Sequence, residues 1–307
     1  MSQKIAVDVG HGYVKALSET GERVLFSSLI APAPAAVDLG EFGNRESVFI
    51  DEKPYVVGDA ARPYATPLWS RDKATDSDTL RMVLIAAAQL GAVGPVALAT
   101  GLPLSWFGNQ RKAFRDVLMG YGAVIQLPDH PPQRLWFERV RVLPQGVAAA
   151  VVVLTNPSYR PGPYVVIDIG YRTTEYLMVS KSAGAKLSYD ATQAGSLEIG
   201  THAIAATMSS ALEREYHLSF KPAEIESETT VFAYGQAIDL NPIRQQAVET
   251  VSNQLRDQLT EILDDRLLKA AGIVLVGGGS GLLAGAFPGA VVVADAQWAN
   301  AQAYLHA

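Results

Sequence analysis

The chain has 307 residues, enough for two domains that each bury a core. Hydrophobic residues make up 49 % and charged residues 18 %, which excludes a disordered chain, and the absence of cysteine excludes disulfides and thiolate chemistry. The net charge of −6 comes without a Lys/Arg cluster, so direct nucleic-acid binding is not expected. Nor is a membrane span, since no run of eighteen apolar residues occurs.

Met1-Ser-Gln-Lys4 leads directly into a strand and does not read as a signal peptide, so a cytoplasmic location is expected. Ile5 to Leu17 reads as a hairpin broken at Asp8-Val-Gly10, and Glu22 to Leu29 as a third strand. Ala31 to Ser47 is a loop rich in Pro, Gly and Ala, and Val48 to Val57 a small hairpin. Thr75 to Leu90 is expected to be helical, capped by Thr75 or Asp76 and stopped at Gly91. Val96 to Thr100 reads as a buried strand stopped by Gly101-Leu-Pro103, and Trp106 to Met119 as an amphipathic helix ending at Gly120. Val124-Ile125 and Val140 to Leu143 are short strands. Pro144-Gln145-Gly146 then opens an apolar helix, Val147 to Leu154.

Asn156 to Pro163 is the clearest boundary. Beyond it come a hairpin from Tyr164, a strand near Leu187 to Tyr189 and a helix over Gly200 to Glu215. Apolar residues at Ile243, Val248, Val251, Leu255, Leu259, Ile262 and Leu263 predict one long helix over Ile243 to Ala271. Ile273 to Val276 is a buried strand ending in Gly277-Gly278-Gly279, Val291 to Val293 a last strand, and Gln297 to Leu305 a closing helix.

The chain repeats itself. Ile5-Ala-Val-Asp8-Val-Gly10-His11-Gly12-Tyr13-Val-Lys15 recurs as Val165-Val-Ile-Asp168-Ile-Gly170-Tyr171-Arg172-Thr173-Thr-Glu175. Self-similarity of this kind marks a duplicated structural unit. In each copy a buried strand ends in an acid and a glycine, and successive N–H groups in such a turn form an anion-binding nest. The aspartate beside each nest suits a metal ion that accompanies a phosphate; alone, it would read as a turn cap. The expected architecture is two α/β domains with mixed sheets and a cleft between them.

These motifs resemble the actin/sugar-kinase/chaperone ATPase superfamily. Asp8, Gly10, Gly12 and Lys15 fall on its first phosphate element, and Asp168, Gly170, Thr173 and Thr174 on its second. Pro144 to Ala149 and Trp298 to Tyr304 resemble its connecting helices, and Ile273 to Ser280 its adenosine motif. Tyr55-Val-Val-Gly-Asp-Ala-Ala61 and Thr100-Gly-Leu-Pro-Leu104 resemble actin-like proteins of the plasmid-segregation ParM/StbA type. Departures are His11 in the first turn, Glu175 where an Asp is usual, and Gln145 where some segregation actins carry Glu.

The resemblance implies an α/β fold of two actin-like, ribonuclease-H-like domains with mixed five-stranded sheets flanking a nucleotide cleft. Domain I would span 1–155 with a helix of about 297–307 returning to it, and domain II 156–296. It implies ATP (or GTP) with Mg²⁺ held through water by Asp8 and Asp168, and Gln145 orienting the attacking water. Gly10, His11, Gly12, Tyr13, Lys15, Gly170, Tyr171, Arg172, Thr173, Gly195, Glu213, Gly277, Gly278 and Gly279 would line the nucleotide. Glu224 and Glu228 join Glu213 as purine-clamp candidates in the helical stretch before the long helix. The implied activity is an ATPase that polymerises head-to-tail and moves DNA through an adaptor protein. The alternatives on the same fold are a small-molecule kinase, for whose acceptor-site insertions this chain has little room, and a non-polymerising nucleotide-binding regulator. A DnaK-type chaperone is disfavoured, since no peptide-binding domain follows residue 307.

Overall fold

The computed structural model describes residues 2–34, 47–65 and 70–306. The chain forms two compact units, one of residues 1–148 and 300–307, the other of residues 149–299. No helix among the described residues is long and apolar enough to cross a membrane.

The first unit opens with the hairpin β1 (Gln3–Val9) and β2 (Tyr13–Ser18), then β3 (Arg23–Ser27), β4 (Ile30–Pro32), β5 (Val48–Ile50) and β6 (Lys53–Val57). Helix α1 (Ser77–Gln89) is followed by β7 (Gly94–Leu102), α2 (Leu104–Met119), β8 (Gly122–Gln126) and β9 (Gln133–Pro144), and α3 (Val147–Leu154) then carries the chain into the second unit. Strands β3, β2, β1, β7 and β9 lie in that order, the first pairs antiparallel and the last two parallel. These are the five strands expected. The sheet then continues through β8, β5, β6 and β4 to nine strands.

Helix α1 is buried on nearly every side. Asp76 caps it by accepting from the Asp78 N–H, and Met82 to Ala87 are fully enclosed. A helix apolar all round must be covered all round, and each of its larger side chains contributes about 1.5–3 kcal/mol of burial. Three expectations are corrected in this unit. Ala31 and Pro32, expected to open the loop, instead belong to the strand Ile30–Pro32, and residues 35–46 of that loop lie outside the described residues. Strand β7 does not stop at Gly101 but runs on to Leu102. There a Cβ on Gly101 would lie 1.9 Å from the Tyr304 hydroxyl, so this glycine seats the closing helix. Strand β9 is longer than the run Val140 to Leu143 suggested, because its outer half alternates buried Leu135 and Phe137 with exposed Arg134, Trp136 and Glu138.

The second unit repeats the five-stranded plan. It contains β10 (Gly162–Ile169), β11 (Thr174–Lys181), β12 (Leu187–Leu197), α4 (His202–Tyr216), α5 (Pro222–Ile225), β13 (Thr230–Ala233) and β14 (Gln236–Asp239). Then follow α6 (Asn241–Leu263), α7 (Asp265–Lys269), β15 (Gly272–Val276), α8 (Ser280–Leu283) and β16 (Val291–Val292), and α9 (Ala299–His306) leads back to the first unit. Its sheet order is β12-β11-β10-β15-β16, with the same sequence of antiparallel and parallel pairings. Val251, Leu255, Leu259 and Leu263 of α6 pack with Ile204, Met208 and Leu212 of α4 in one core. The long helix ends earlier than expected, at Leu263, because Asp264 (φ 50, ψ −140) leaves helical space. The stretch before it is not wholly helical either: β13 and β14 form a separate hairpin.

Candidate functional site

In the first unit, Asp8 is the next-to-last residue of β1 and faces Lys15 across the hairpin register. Lys15 Nζ donates to Asp8 Oδ2 at 2.7 Å, and Gln145 Nε2 donates to Asp8 Oδ1 at 2.8 Å. Burial alone would raise the Asp8 carboxyl. The charge and hydrogen bond of Lys15, the charge of Lys73 and the Gln145 bond outweigh it and hold Asp8 below the ordinary aspartate value. Gln145 is itself positioned by its backbone N–H, which donates to the Leu102 carbonyl at 2.9 Å. The adjoining Gly146 N–H donates to Asn300 Oδ1 at 3.0 Å. With its side-chain nitrogen donating to Asp8, Gln145 has Oε1 left as the atom able to accept from a water.

The turn after Asp8 is closed by Gly10 N–H donating to the Tyr13 carbonyl, and Ser28 ties it down. Ser28 Oγ donates to the Gly10 carbonyl at 2.6 Å and its N–H to the Gly12 carbonyl at 2.9 Å. A Cβ at Gly10 would meet the Tyr13 carbonyl at 3.0 Å. Tyr13 is exposed, and the His11 ring packs edge-on against Trp106 of α2. Sequence reasoning passed over Lys73 and Ser28. Lys73 is a buried lysine whose ammonium donates to the Val9 carbonyl. A lone lysine in a polar loop gives no signal of this; only the fold carries it to β1.

In the second unit, Asp168 is the next-to-last residue of β10 and is buried. Its register partner is Glu175, also buried, so the two copies of the motif differ in charge: acid faces lysine in the first and acid faces acid in the second. Gly170 N–H closes its turn on the Thr173 carbonyl at 2.9 Å. The turn is anchored to the start of α4, where Thr201 N–H donates to the Gly170 carbonyl and His202 N–H to the Tyr171 carbonyl. Thr174 is enclosed and donates to the Ile199 carbonyl at 2.7 Å, so of the adjacent threonines only Thr173 keeps a side chain for a ligand.

The glycine-rich turn after β15 lies against this hairpin. Gly279 N–H donates to the Ile169 carbonyl at 2.8 Å. A Cβ at Gly277 (φ +87) would fall 2.3 Å from Asp168 Oδ1, and one at Gly279 2.6 Å from Ile169 Cγ2. Gly278 has only the flexible Gln297 side chain nearby, at 3.4 Å. Two of the three glycines are thus accounted for by packing inside the unit. The same holds for Gly195, in β12, where a Cβ would lie 2.5 Å from the Tyr176 hydroxyl. Glu213 lies exposed near the far end of α4, eleven residues beyond the end anchored to the Gly170 turn. Glu224 belongs to the short α5, and Glu228 to the link before β13, rather than to a longer helical stretch.

A second feature absent from the sequence reading joins the Gly170 turn to its surroundings. The Tyr171 hydroxyl donates to Glu226 Oε2 at 3.0 Å and lies 3.1 Å from His202 Nδ1. Burial pushes the His202 imidazole below its ordinary value; Glu226 opposes this in part and the Arg172 charge adds to it. The native state therefore favours neutral His202. That preference is present above about pH 6.5, the ordinary histidine value, and is lost as pH falls through the native value. His202→Gln is expected to flatten the fall of the melting temperature between about pH 6.5 and pH 5. Parallel pH profiles for the two proteins would show that His202 is not linked to folding.

Two α/β units built on one strand order, each with an Asp-x-Gly turn at the end of its first strand, define a protein with a duplicated α/β plan. The model of the N-terminal domain of actin-like proteins matches residues 6–147, and that of the C-terminal domain of the archaeal MreB-like actin homologue matches residues 166–288. The chain belongs to the actin-like proteins, within the actin-like ATPase superfamily. An archaeal actin homologue of Thermoplasma acidophilum is 25 % identical across 99 % of this chain and 98 % of its own length. Among solved structures, a non-polymerisable ParM mutant superposes with a TM-score of 0.85 at 23 % identity, covering 100 % of this chain and 98 % of its own. An archaeal actin homologue in complex with ADP superposes at 0.79 and 21 % identity, covering 99 % and 98 %. At these identities the superpositions show the fold.

Proposed function

We propose that this protein is an ATPase that assembles head-to-tail into filaments in a nucleotide-dependent way. The carrying observation is the buried Asp8–Lys15–Gln145 cluster beside a closed Asp-x-Gly turn, repeated in outline at Asp168. The ADP complex of one structural neighbour and the ParM filament from Clostridium botulinum among the others support the reading. A cargo role, moving DNA through an adaptor protein in the cytoplasm, completes it.

The residues suit a nucleotide. Both turns have glycine where a Cβ would meet the turn's own carbonyl, at 3.0 Å for Gly10 and 2.9 Å for Gly170, so each turn stays tight, the kind of turn that forms an anion-binding nest. Among the described residues no three acidic or histidine side chains gather as a metal cage. That suits Mg²⁺, which keeps several waters and takes one or two carboxylates plus substrate phosphates. Asp8 and Asp168 would hold it through water, and the ion would supply charge neutralisation at the phosphates. Lys15 and Lys73 keep Asp8 ionised for that task. Gln145, held by Asp8, presents Oε1 to orient a water. Thr173 and Gly278 offer the remaining contacts.

Light scattering and pelleting should rise with ATP and Mg²⁺ above a threshold protein concentration, and turnover per protomer should rise across the same threshold. Gln145→Ala should retain ATP affinity and slow hydrolysis on the order of 10²-fold, the scale of one preorganised group. Its filaments should then persist longer. A protein that stays monomeric and phosphorylates an added alcohol would be a kinase instead, and one that only binds nucleotide a regulator.

A further inference from the structure

A carbonyl oxygen that faces a phosphate repels it. A turn therefore binds an anion only when its carbonyls are held aside and its N–H groups face the ligand. The first turn holds its carbonyls in this way. The Lys73 ammonium takes that of Val9, and the Gly10 N–H takes that of Tyr13 at 3.1 Å. Ser28 takes the two between them: its Oγ donates to the Gly10 carbonyl at 2.6 Å and its N–H to the Gly12 carbonyl at 2.9 Å. A trans peptide points its C=O and N–H in opposite directions. By drawing the Gly10 and Gly12 carbonyls towards itself, Ser28 turns the N–H groups of His11 and Tyr13 to the side of the turn away from it.

The second copy of the motif holds the equivalent groups by other means. The Gly170 carbonyl accepts from the Thr201 N–H at 3.1 Å, the Tyr171 carbonyl from the His202 N–H at 2.7 Å and the Thr173 carbonyl from the Gly170 N–H at 2.9 Å. Gly10 and Gly170 occupy the same place in the repeat, and both carbonyls are drawn aside. The second turn does this with backbone N–H groups at the start of α4. The first depends on one buried hydroxyl, that of Ser28.

Ser28 is bracketed in turn by its neighbours. Ser27 Oγ donates to Asp59 Oδ1 at 2.7 Å, and the Leu29 carbonyl accepts from the Gly58 N–H at 2.8 Å. Both partners belong to the Tyr55 to Ala61 motif, to which the chemistry proposed above gives no part.

We infer that Ser28 is the positioning residue of the first turn: it aims the His11 and Tyr13 N–H groups at the phosphates of the nucleotide, and Gly58 and Asp59 keep it in place. The inference rests on the nucleotide reading of that turn and gives the Tyr55 to Ala61 motif a task in it.

Calorimetric titration of the full chain with ADP and Mg²⁺ tests it. Ser28→Ala removes the bond to Gly10 and keeps the N–H bond to Gly12. It should bind ADP on the order of tenfold more weakly, the scale of one hydrogen bond to a charged group, at unchanged stoichiometry. Asp59→Ala, at a side chain 74 % exposed, removes the acceptor of Ser27 and should weaken ADP by a smaller factor, about threefold. Asp59→Asn keeps an acceptor oxygen and should restore the affinity. A merely structural role would lower the stoichiometry, the share of competent protein, and leave the affinity of the remainder unchanged. That outcome, or full affinity in Ser28→Ala, overturns the inference while the nucleotide reading stands. If Ser28→Ala does not fold, the Asp59 pair decides: full affinity in Asp59→Ala overturns the inference, and a loss that Asp59→Asn restores supports it. An unmodified protein that binds neither ADP nor ATP removes the nucleotide reading and the inference together.

Discussion

Replacing Asp8 by alanine is expected to destabilise the first unit by about 3–5 kcal/mol, because it leaves Lys15 buried without its counter-ion. Lys15 is 12 % exposed and Asp8 3 % by side chain, so water cannot take over the lost bond. At about 2–4 °C per kcal/mol for a unit of this size, the melting temperature should fall by about 6 to 20 °C. ATP turnover should fall by roughly 10²-fold or more, since Gln145 loses the acceptor that positions it. The pH dependence has a definite sign. Asp8 is held below its ordinary value, so its contribution is present above about pH 4 and is lost as pH falls through the native value. Acid sensitivity below about pH 4 should therefore be weaker in Asp8→Ala than in the unmodified protein. Unchanged melting and turnover would show that the cluster neither holds the fold nor carries the chemistry.

The two hairpins were legible in the sequence because nothing local competes with them. A β-branched run that ends in Asp-x-Gly has one reading, and its recurrence fixed the duplicated plan. Strands with one wet face were harder. In β9 the run Gln133-Arg-Leu-Trp-Phe-Glu-Arg-Val140 alternates, but its charges obscure the apolar face until β7 and β8 are paired to it. The β13–β14 hairpin lies among glutamates that favour helix, and its turn begins with a tyrosine rather than asparagine, so the local signal was reversed. The end of α6 depends on the single dihedral of Asp264, a residue that a helical pattern tolerates.

The site was legible where residues adjoin in sequence and illegible where the fold assembles it. Asp8 and Lys15 are seven residues apart and face each other by register alone. Lys73, Ser28 and Glu226 reach their turns from other segments. The glycines were read as room for a ligand, and the fold gives three of them a different reason. Gly195 makes way for Tyr176, Gly277 for Asp168 and Gly279 for Ile169.

That distinction predicts a graded response along the Gly277-Gly278-Gly279 turn. Gly277→Ala should be the most damaging, for two additive causes. Its φ of +87 strains any side chain by about 1–2 kcal/mol. Its Cβ would also fall 2.3 Å from Asp168 Oδ1 and 2.5 Å from the Ile169 carbonyl. The Ile169 carbonyl cannot step aside without giving up the Gly279 N–H, and forced overpacking adds about 1–3 kcal/mol. Gly21 supplies the control for the first cause alone: its φ is +92 and nothing lies within 4 Å of its added Cβ. Gly21→Ala should therefore lower the melting temperature by clearly less than Gly277→Ala. Gly278→Ala has ordinary backbone and only a movable Gln297 beside it, so its stability should change little. Nucleotide affinity then separates ligand contact from packing. If Gly278→Ala melts normally and binds ATP weakly, the turn approaches the nucleotide through Gly278. If it binds normally, all three glycines serve the fold, and the nucleotide meets the second unit at the Gly170 turn alone.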